Sequence, residues 1–553
     1  MRNLFKLKIY TLALSVMVLA GCEENFLDIN DDPNNPLSVP TGQLMTAAQT
    51  NMSYTFANGS GGLGLYTGTI VKHWVQRGTL NDYSLQGTDF AVTTGWQSIY
   101  AGAMTDLQVA IEQATEEEDF ATLGAAQLMR VYIMSHVVDL WGDVPYFEIG
   151  QGAGNESPTF DDGLAVYNDL FTLLETGLSN LEAGVDGSVK GDLIYSGSAD
   201  SWITFGNSLK LRMLNNVRLQ RDVTADAQAA ITDGVIEAIA DDFELDYGTS
   251  FNPENRNPGF SFEWTAGNGN YIDPFFFETL RGQDTFAHGG LLPAGAGVRD
   301  PRIPYYIFNQ LPAGSGDADA ENPCAYCPSR SGSAFLSIFS HSFNIDPNEG
   351  FDQSNSQSLA GLYPLGGRYD DGDGGTASNA ATLNAGQVTG PGNTPQRLLD
   401  ASEVYFIRAE LAQVGVTNET ARDLFLSALN TSFAKVNAVA NSAGAPTMSA
   451  TAISTYVNAV MANYDAASPA GQLELIMVSK WLAQFGNSTI SYNDIRRTGF
   501  PRLHDGNTDN LNVTVQTRQF PVSLPYDINN LQLNAAAPSQ RVIATDRVFW
   551  DVN

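Results

Sequence analysis

Residues 128–146 read LMRVYIMSHVVDLWGDVPY, and this stretch indicates the fold class of the chain. The residues that recur at helical spacing are Leu128, Val131, Ser135 and Val138, with Tyr132 beside them. Side chains three and four positions apart lie on one face of a helix, as they do in a helix that packs against a core. Gly142 can close such a helix and Pro145 cannot continue it. The stretch therefore predicts one long helix with a defined end.

Helical patterns also run through most of the remaining chain. They extend over residues 41–242 and return over residues 398–510, so we predict a mainly α scaffold made of these two parts. One helix carries Trp202, Phe205, Leu209, Met213 and Val217 on a single stripe. Its other faces carry the basic residues Lys210, Arg212, Arg218 and Arg221. We expect these cations to form internal ion pairs, and the alternative is a patch for a ligand or partner.

Residues 243–397 have a different character. Gly, Asn, Asp, Ser and Pro interrupt them constantly, in segments such as NPENRNPG and YDDGDGG, and helical periodicity is lost. A long irregular insertion is usually functional or disordered, and its many aromatic residues argue against disorder. We predict a loop-rich, ligand-facing insertion here and an irregular tail over residues 511–553. Together with the two helical parts they would make a single domain over residues 41–553.

The N-terminus has the pattern of a lipoprotein signal. Arg2, Lys6 and Lys8 precede an apolar run, and small residues lead directly to Cys22. We predict a signal peptide over residues 1–21, lipidation of Cys22, and an extended tether over residues 22–40 that is rich in Asp, Asn and Pro. The alternative is an ordinary cleaved signal in which Cys22 is incidental.

The charge of the chain limits its partners. The formal net charge is −33, so the surface should repel nucleic acid and anionic lipid headgroups. The same charge argues against a strongly anionic polysaccharide as ligand, unless a local basic patch overrides the mean. The alternative is that the acidic surface serves only to keep the protein soluble, which would give the same composition.

Seven segments, in order along the chain, resemble the SusD/RagB outer-membrane lipoproteins of Bacteroidota, and most closely their second SusD-like subgroup. They are Cys22 itself, FLDIN (26–30) with DPN (32–34), DLWGDVPY (139–146), NSLKLR (207–212) after Trp202, ASEVYFIRAE (401–410), KWLA (480–483), and NDIRRTG (493–499) with Pro501. Each segment alone is weakly specific, but all seven in the same order are highly specific. Glu23 and Glu24 fit the acidic residues that accompany surface display in that family.

The resemblance implies a fold of tetratricopeptide-like helix pairs and a role in nutrient uptake. It implies a lipid-anchored protein at the outer-membrane surface that binds a glycan and partners a SusC-like, TonB-dependent transporter barrel. Oligopeptide cargo is the main alternative, because the family serves both. A surface hydrolase and an adhesin are the rivals from other classes. The family segments are mostly scaffold, so we interpret Arg408 beside Glu403 and Glu410 as part of an ion network between helices.

A catalytic site is not indicated by the sequence. The five histidines are scattered, and there is no HExxH, phosphate-binding glycine-rich loop or G-x-S-x-G segment. His136 lies one helical turn from Asp139, where we expect a hydrogen-bonded core histidine. We therefore predict a binding protein that is not an enzyme and that needs no cofactor, with a structural calcium ion as the alternative.

Three sets of candidate site residues follow from local composition. Ring faces beside amide and carboxylate groups suit a sugar, which points to Trp74, Trp264, Tyr271, Asn268 and Asp273, although a single ring is more often packing than a ligand platform. Asp370, Asp371 and Asp373 form an acidic loop that could bind calcium, or a solvated turn, since the spacing is not that of an EF-hand. Cys324 and Cys327 are expected to form a local disulfide in an exported protein.

Overall fold

A computed structural model describes residues 39–59, 61–76, 83–151, 154–265, 270–282, 298–315, 334–337, 356–375, 390–503 and 519–552. The helices before residue 242 are α1 Thr41–Phe56, α2 Leu63–Ile70, α3 Phe90–Gln97, α4 Met104–Glu116, α5 Phe120–Trp141, α6 Gly163–Ala183, α7 Ala199–Val217 and α8 Thr224–Asp233. A π-helical segment, Ser98–Ala103, joins α3 to α4. The predicted mainly α class is confirmed.

Later helices are shorter in the insertion and long again after it. They are α9 Pro258–Phe260, α10 Pro274–Arg281, α11 Ile303–Tyr306, α12 Leu362–Leu365, α13 Ala401–Gln413, α14 Ala421–Ser442, α15 Ala450–Ala466, α16 Pro469–Ala483, α17 Ser488–Thr498 and α18 Ile528–Leu533, with a π-helical segment Ser261–Thr265 after α9. No helix in these ranges is both long enough and apolar enough to cross a membrane.

Six short strands form three antiparallel pairs. They are β1 Trp74–Gln76 with β3 Asn270–Ile272, β2 Phe243–Leu245 with β6 Gln396–Leu399, and β4 Ile307–Asn309 with β5 Ser358–Ala360. Trp74 lies opposite Ile272 in the first pair, and the register of the second shifts by a bulge after Phe243. Five of these strands lie wholly or partly in the insertion, and the pair β1–β3 ties it to the first helical part.

The central helix is α5, and it has the end that the sequence predicted. Asp119 caps its start by accepting a hydrogen bond from the Thr122 N–H at 3.2 Å, and Gly142 ends it with a φ of 78°. The amphipathic pattern predicted one buried face, yet the helix is buried almost all round. A helix that is covered on every side lies inside the core rather than on its surface.

Helices α5 and α6 form an antiparallel pair that depends on glycine. A Cβ at Gly124, near the start of α5, would lie 2.6 Å from the Gly177 carbonyl near the end of α6. At the other end of the pair, a Cβ at Gly163 would lie 3.3 Å from Val138. Side chains at Gly124 would force the helices apart, so the close approach requires the missing Cβ.

Asp139, at the C-terminal end of α5, joins four other segments of the chain. Its carboxylate accepts hydrogen bonds from the Tyr167 hydroxyl at 3.0 Å, the Trp550 indole at 2.7 Å, the Asn216 amide at 2.9 Å and the Asn493 amide at 3.0 Å. The group is 2% exposed. Because a buried carboxylate must be hydrogen-bonded to be tolerated, this junction fixes α6, α7, α17 and the tail against α5.

The described part of the tail is irregular apart from one short helix. The described part of residues 511–553 contains helix α18 and ends in a buried segment, with Trp550 fully enclosed beside Asp139. One hydrophobic cluster runs from Leu44 to Trp550. The end of the chain is therefore part of the core, although its composition resembles a loop.

The four basic residues predicted for this helix have partners within the chain, three of them in the expected ion pairs, although α7 ends at Val217 and Arg218 and Arg221 follow it. Lys210 pairs with Glu175 at 2.6 Å, Arg212 with Glu403 at 2.8 Å and Arg218 with Glu410 at 2.9 Å. Arg221 lies over the Phe171 ring at 4.5 Å. The alternative of a basic ligand patch on this helix is not supported.

Arg408 belongs to an ion network, as interpreted from the sequence, and its partners are distant in the chain or on the next connection. Its guanidinium pairs with Glu237 and Glu419, whereas Glu403 and Glu410 bind arginines of other helices. Residues 403, 408 and 410 lie on one helix and do not pair with one another. Glu237 follows α8 and Glu419 precedes α14, whereas Glu403 and Glu410 are paired with Arg212 of α7 and Arg497 of α17. The role as an ion network between helices stands with different members.

His136 is a hydrogen-bonded core histidine, as predicted. Its Nδ1 lies 2.8 Å from the Tyr132 carbonyl, and burial together with nearby Arg212 lowers its pKa to about 3.

Replacing Asp139 with alanine should destabilise the protein. The variant leaves several buried donors without an acceptor, so we expect the free energy of unfolding to fall by about 3–5 kcal/mol in urea denaturation. Asp200→Ala, at an exposed position in the first turn of α7, should change it by about 0.5 kcal/mol or less. Equal losses in the two variants would contradict the central role of Asp139.

Burial raises the pKa of Asp139 from 3.8 to about 6, so the native state holds this proton more tightly than the unfolded chain does. The contribution to stability is present below about pH 4 and is lost as the pH rises through about 6. This part of the pH dependence should be missing from Asp139→Ala.

Candidate functional site

A large cleft in the described part of the chain lies between α1 and the segment that follows β2. Its volume is about 710 Å³. The lining residues are Thr50, Tyr54, Gly59, Leu193, Leu245, Asp246, Tyr247, Gly248, Glu254, Asn255, Arg256, Pro258, Ser261 and Phe262. This volume is typical of a ligand site, and the walls combine aromatic rings with a few polar groups.

Helix α1 supplies the rigid wall. Tyr54 is exposed on its surface, and the neighbouring Ser53 hydroxyl hydrogen-bonds the Tyr247 hydroxyl at 2.8 Å. Burial raises the pKa of Tyr247 to about 12, so the hydroxyl remains protonated at neutral pH. The contact fixes the loop that carries Tyr247 against the helix.

The opposite wall is a loop that closes on itself. The Gly248 N–H donates to the Asn255 carbonyl at 2.8 Å, and the Ser250 N–H donates to the Asn255 side-chain oxygen at 2.8 Å. A Cβ at Gly248 would lie 2.4 Å from the Asn255 side chain, so this close turn needs glycine. A loop ordered by its own hydrogen bonds can present side chains at defined positions.

Arg256 is the cation of this loop, and its guanidinium is held in place by several contacts. Its Nε and Nη2 donate to the two carboxylate oxygens of Glu254 at 2.8 and 2.6 Å. The guanidinium lies 5.1 Å from the Phe251 ring centre and 5.0 Å from that of Phe260. The bidentate pair lowers the pKa of Glu254 and keeps both groups charged. Arg256 is buried, so the pair holds the loop and leaves little free positive charge in the cleft.

A second, smaller cavity adjoins the cleft. It measures about 330 Å³ and shares Asp246 and Tyr247 with the larger one. Its other lining residues are Glu244, Asn393, Thr394, Pro395, Lys435, Ala438, Val439 and Ser442. Lys435 is paired here with Asp242 at 2.8 Å and Glu244 at 2.6 Å.

The chemistry of the cleft suits a neutral, hydroxyl-rich molecule. Tyr54, Tyr247 and Phe262 offer ring surface, while Asp246 and Asn255 offer carboxylate and amide oxygens. Aromatic stacking with a few orienting hydrogen bonds is the usual design of a small-molecule site.

The described histidines do not lie in the cleft. His73, like His136, is buried; its Nε2 lies 3.0 Å from the Trp481 carbonyl, and burial lowers its pKa to about 3. Such a group stays neutral and inaccessible at neutral pH, so neither histidine is placed to transfer a proton to a ligand in the cleft.

The aromatic residues singled out from the sequence lie elsewhere. Trp74 packs on Phe485, with ring centres 4.6 Å apart. Trp264 donates its indole N–H to the Ala360 carbonyl at 3.0 Å. Each is 2% exposed and Tyr271 is 3% exposed, so the packing alternative is the one that the structure favours.

The two polar residues of that set, Asp273 and Asn268, have different outcomes. Asp273 caps α10 by accepting from the Phe275 N–H at 2.8 Å, which is a structural role. Asn268 lies outside the described residues, as do Cys22, Cys324 and Cys327. Their roles stay predictions.

The acidic loop folds as a hydrogen-bonded turn. Asp370 accepts from the Asn309 amide at 2.6 Å and from the Gly372 N–H at 3.0 Å, and Asp371 accepts from the Asp373 N–H at 3.0 Å. Within the described ranges, no three acidic, histidine or cysteine side chains converge as a metal site. Two of these carboxylates accept backbone N–H groups of the turn itself, and calcium binding by Asp370, Asp371 and Asp373 stays a prediction.

Sequence reasoning missed Tyr54, Tyr247 and Arg256. The segment NPENRNPG was noted only for its turn residues, yet it contains Glu254 and Arg256 two positions apart. Tyr54 is indistinguishable from a core residue by helical spacing, and only the position of the loop leaves it exposed.

Comparisons with known proteins agree on one family. A family model named SusD-like, described as starch-binding and associating with the outer membrane, matches residues 33–526. No protein of curated function matches the chain in sequence.

Solved structures share the fold. A chitin-binding protein is 23% identical, with 93% of this chain and 100% of that one covered and a TM-score of 0.66. A Bacteroidetes SusD-like protein is 20% identical, with the same coverage and TM-score. A SusD homologue of Bacteroides fragilis is 16% identical, with 93% and 99% covered and a TM-score of 0.66.

Truncating Tyr54 should weaken binding without unfolding the protein. If its exposed ring stacks on a ligand, Tyr54→Ala should cost about 1–3 kcal/mol of binding free energy, a range taken from base–aromatic stacking. The measurement is calorimetry with malto-, cello- and chito-oligosaccharides. Trp264→Phe is the control, because it should lower stability by about 1 kcal/mol through the lost Ala360 hydrogen bond and leave affinity unchanged. If Trp264→Phe weakened binding and Tyr54→Ala did not, the ligand site would lie at Trp264 instead.

Proposed function

The chain belongs to the SusD-like family, and from that membership we propose that it is a surface lipoprotein that captures a glycan for import. The family description supplies outer-membrane association and starch binding, and the finer statement about this chain's cargo is our own. The observation that supports it most is the cleft of about 710 Å³ beside Tyr54 and Tyr247. Its ring surfaces and hydrogen-bonding groups match the two faces of a sugar.

The protein acts in this proposal by binding and not by catalysis. The sequence contains none of the catalytic motifs sought, and the described histidines are buried and neutral. Carboxylates occur in the cleft at Asp246 and Glu254, but Glu254 is engaged by Arg256 in a bidentate pair. A paired carboxylate with a lowered pKa is a poor general acid at neutral pH.

The captured glycan is delivered, in our proposal, to a SusC-like TonB-dependent barrel. The lipoprotein signal that ends at Cys22 and the tether rich in Asp, Asn and Pro support a globule held beside such a barrel. A lid on a transporter must seal against leakage, so its interface should bury roughly 2,000 Å² or more. The hinge is expected within residues 28–36, next to the anchor.

Binding without turnover tests the glycan proposal. We expect calorimetry of the purified protein to detect a member of a glycan panel at micromolar to millimolar affinity, and chromatography to recover that glycan intact. A parallel panel of oligopeptides serves as the control for cargo class. Binding of peptides alone would favour the peptide alternative, and cleavage of the glycan would establish a surface hydrolase.

Anchoring and partnership are tested together in cells. The native protein, extracted in mild detergent, should bring down one TonB-dependent barrel in equal amount. Cys22→Ser should leave the membrane fraction, because it lacks the acylated thiol. Deleting residues 28–36 while retaining Cys22 should preserve ligand affinity and impair uptake. Recovery of the protein alone, with uptake unaffected by its deletion, would support an adhesin.

A further inference from the structure

Asp246 lies where the two cavities meet. It lines both the cleft of about 710 Å³ and the adjoining cavity of about 330 Å³, and its side chain is exposed. A ligand that extends from one cavity to the other therefore passes this carboxylate.

The cations that line the two cavities are already paired. Arg256 is the cation of the larger cavity and is bound by both oxygens of Glu254. Lys435 is the cation of the smaller one and lies within 2.8 Å of Asp242 and 2.6 Å of Glu244. Neither can turn toward an anionic ligand without leaving a carboxylate unpaired, which is costly for the buried Asp242.

Asp246 has no such counter-charge in the described part of the chain. Its carboxylate is not a member of the ion pairs that hold Arg256 and Lys435. The lining of the joined cavities is thus negative on balance, in a chain whose net charge is −33. A second carboxylate brought within a few ångströms of Asp246 would meet repulsion that the lining does not offset.

We propose that Asp246 is a specificity-determining residue that excludes anionic glycans, so that the cargo is an uncharged oligosaccharide. This inference rests on the proposed glycan function and adds the class of glycan. The sequence had left open whether a local basic patch overrides the acidic mean, and in the lining of these cavities it does not. Hydroxyl groups can donate to Asp246, whereas uronate or sulfate groups cannot.

The test compares matched neutral and anionic ligands. The probes are maltohexaose, cellohexaose and chitohexaose, each beside a derivative in which the primary alcohols are oxidised to carboxylates. At low ionic strength we expect a neutral member to bind and its oxidised counterpart to bind about ten-fold more weakly or worse. Added salt should reduce that ratio, because screening weakens the repulsion.

Variants assign the effect to one residue. Asp246→Asn should reduce the ratio of neutral to oxidised affinity to about three-fold or less. Asp226→Asn makes the same charge change at an exposed position on α8 and should keep the wild-type ratio. Circular dichroism confirms that both variants are folded.

The possible results distinguish failure of this inference from failure of the proposed glycan capture. A neutral oligosaccharide that binds as tightly as its oxidised form overturns the role of Asp246 and leaves glycan capture standing. A preference that persists unchanged in Asp246→Asn does the same. If none of the oligosaccharides binds the wild-type protein while oligopeptides do, both proposals fall together.

Discussion

The architecture depends on one buried carboxylate at the end of the central helix. Asp139 accepts four hydrogen bonds, which fills the acceptor capacity of its two oxygens. The donors come from α6, α7, α17 and the tail, so segments up to 411 positions away in sequence must meet at one point. The Asp139 carbonyl also accepts from Arg496. The buried Asp139 carboxylate is stable only when all of its donors are in place. Each missing donor leaves its desolvated charge less compensated.

Many of the scarce cations in the described part of this acidic protein form ion pairs in its interior. The chain has 28 Lys and Arg residues against 61 Asp and Glu. Arg212, Arg218 and Arg497 bind Glu403 and Glu410 in the interior and thereby join α7, α13 and α17. Lys435 and Arg256 follow the same rule beside the cavities. Paired cations satisfy buried carboxylates, and the charge that remains at the surface is predominantly negative.

The cleft lies between helix α1 and the loop that follows β2. Helix α1 packs in the core on one side and presents Tyr54 on the other, while the loop from Asp246 to Phe262 is ordered by local hydrogen bonds and the Glu254–Arg256 pair. This division lets loop sequence change the ligand without disturbing the scaffold. It also explains why the family segments, which are scaffold, identify the family and say little about cargo.

The sequence by itself determined the helical class, the end of α5 at Gly142, the internal pairing of α7 and the core role of His136, because these follow from local spacing and from the cost of burying unpaired charge. It could not determine the partners of Arg408, the burial of Trp550, or which aromatic residues face a cavity. Those outcomes depend on contacts between distant segments, and a ring on a loop has the same local signature whether it packs or is exposed. Trp264 and Tyr54 show the difference. Trp264 is enclosed by Phe260 and Phe308, and Tyr54 is left open to solvent, because only the tertiary packing decided which surfaces were covered.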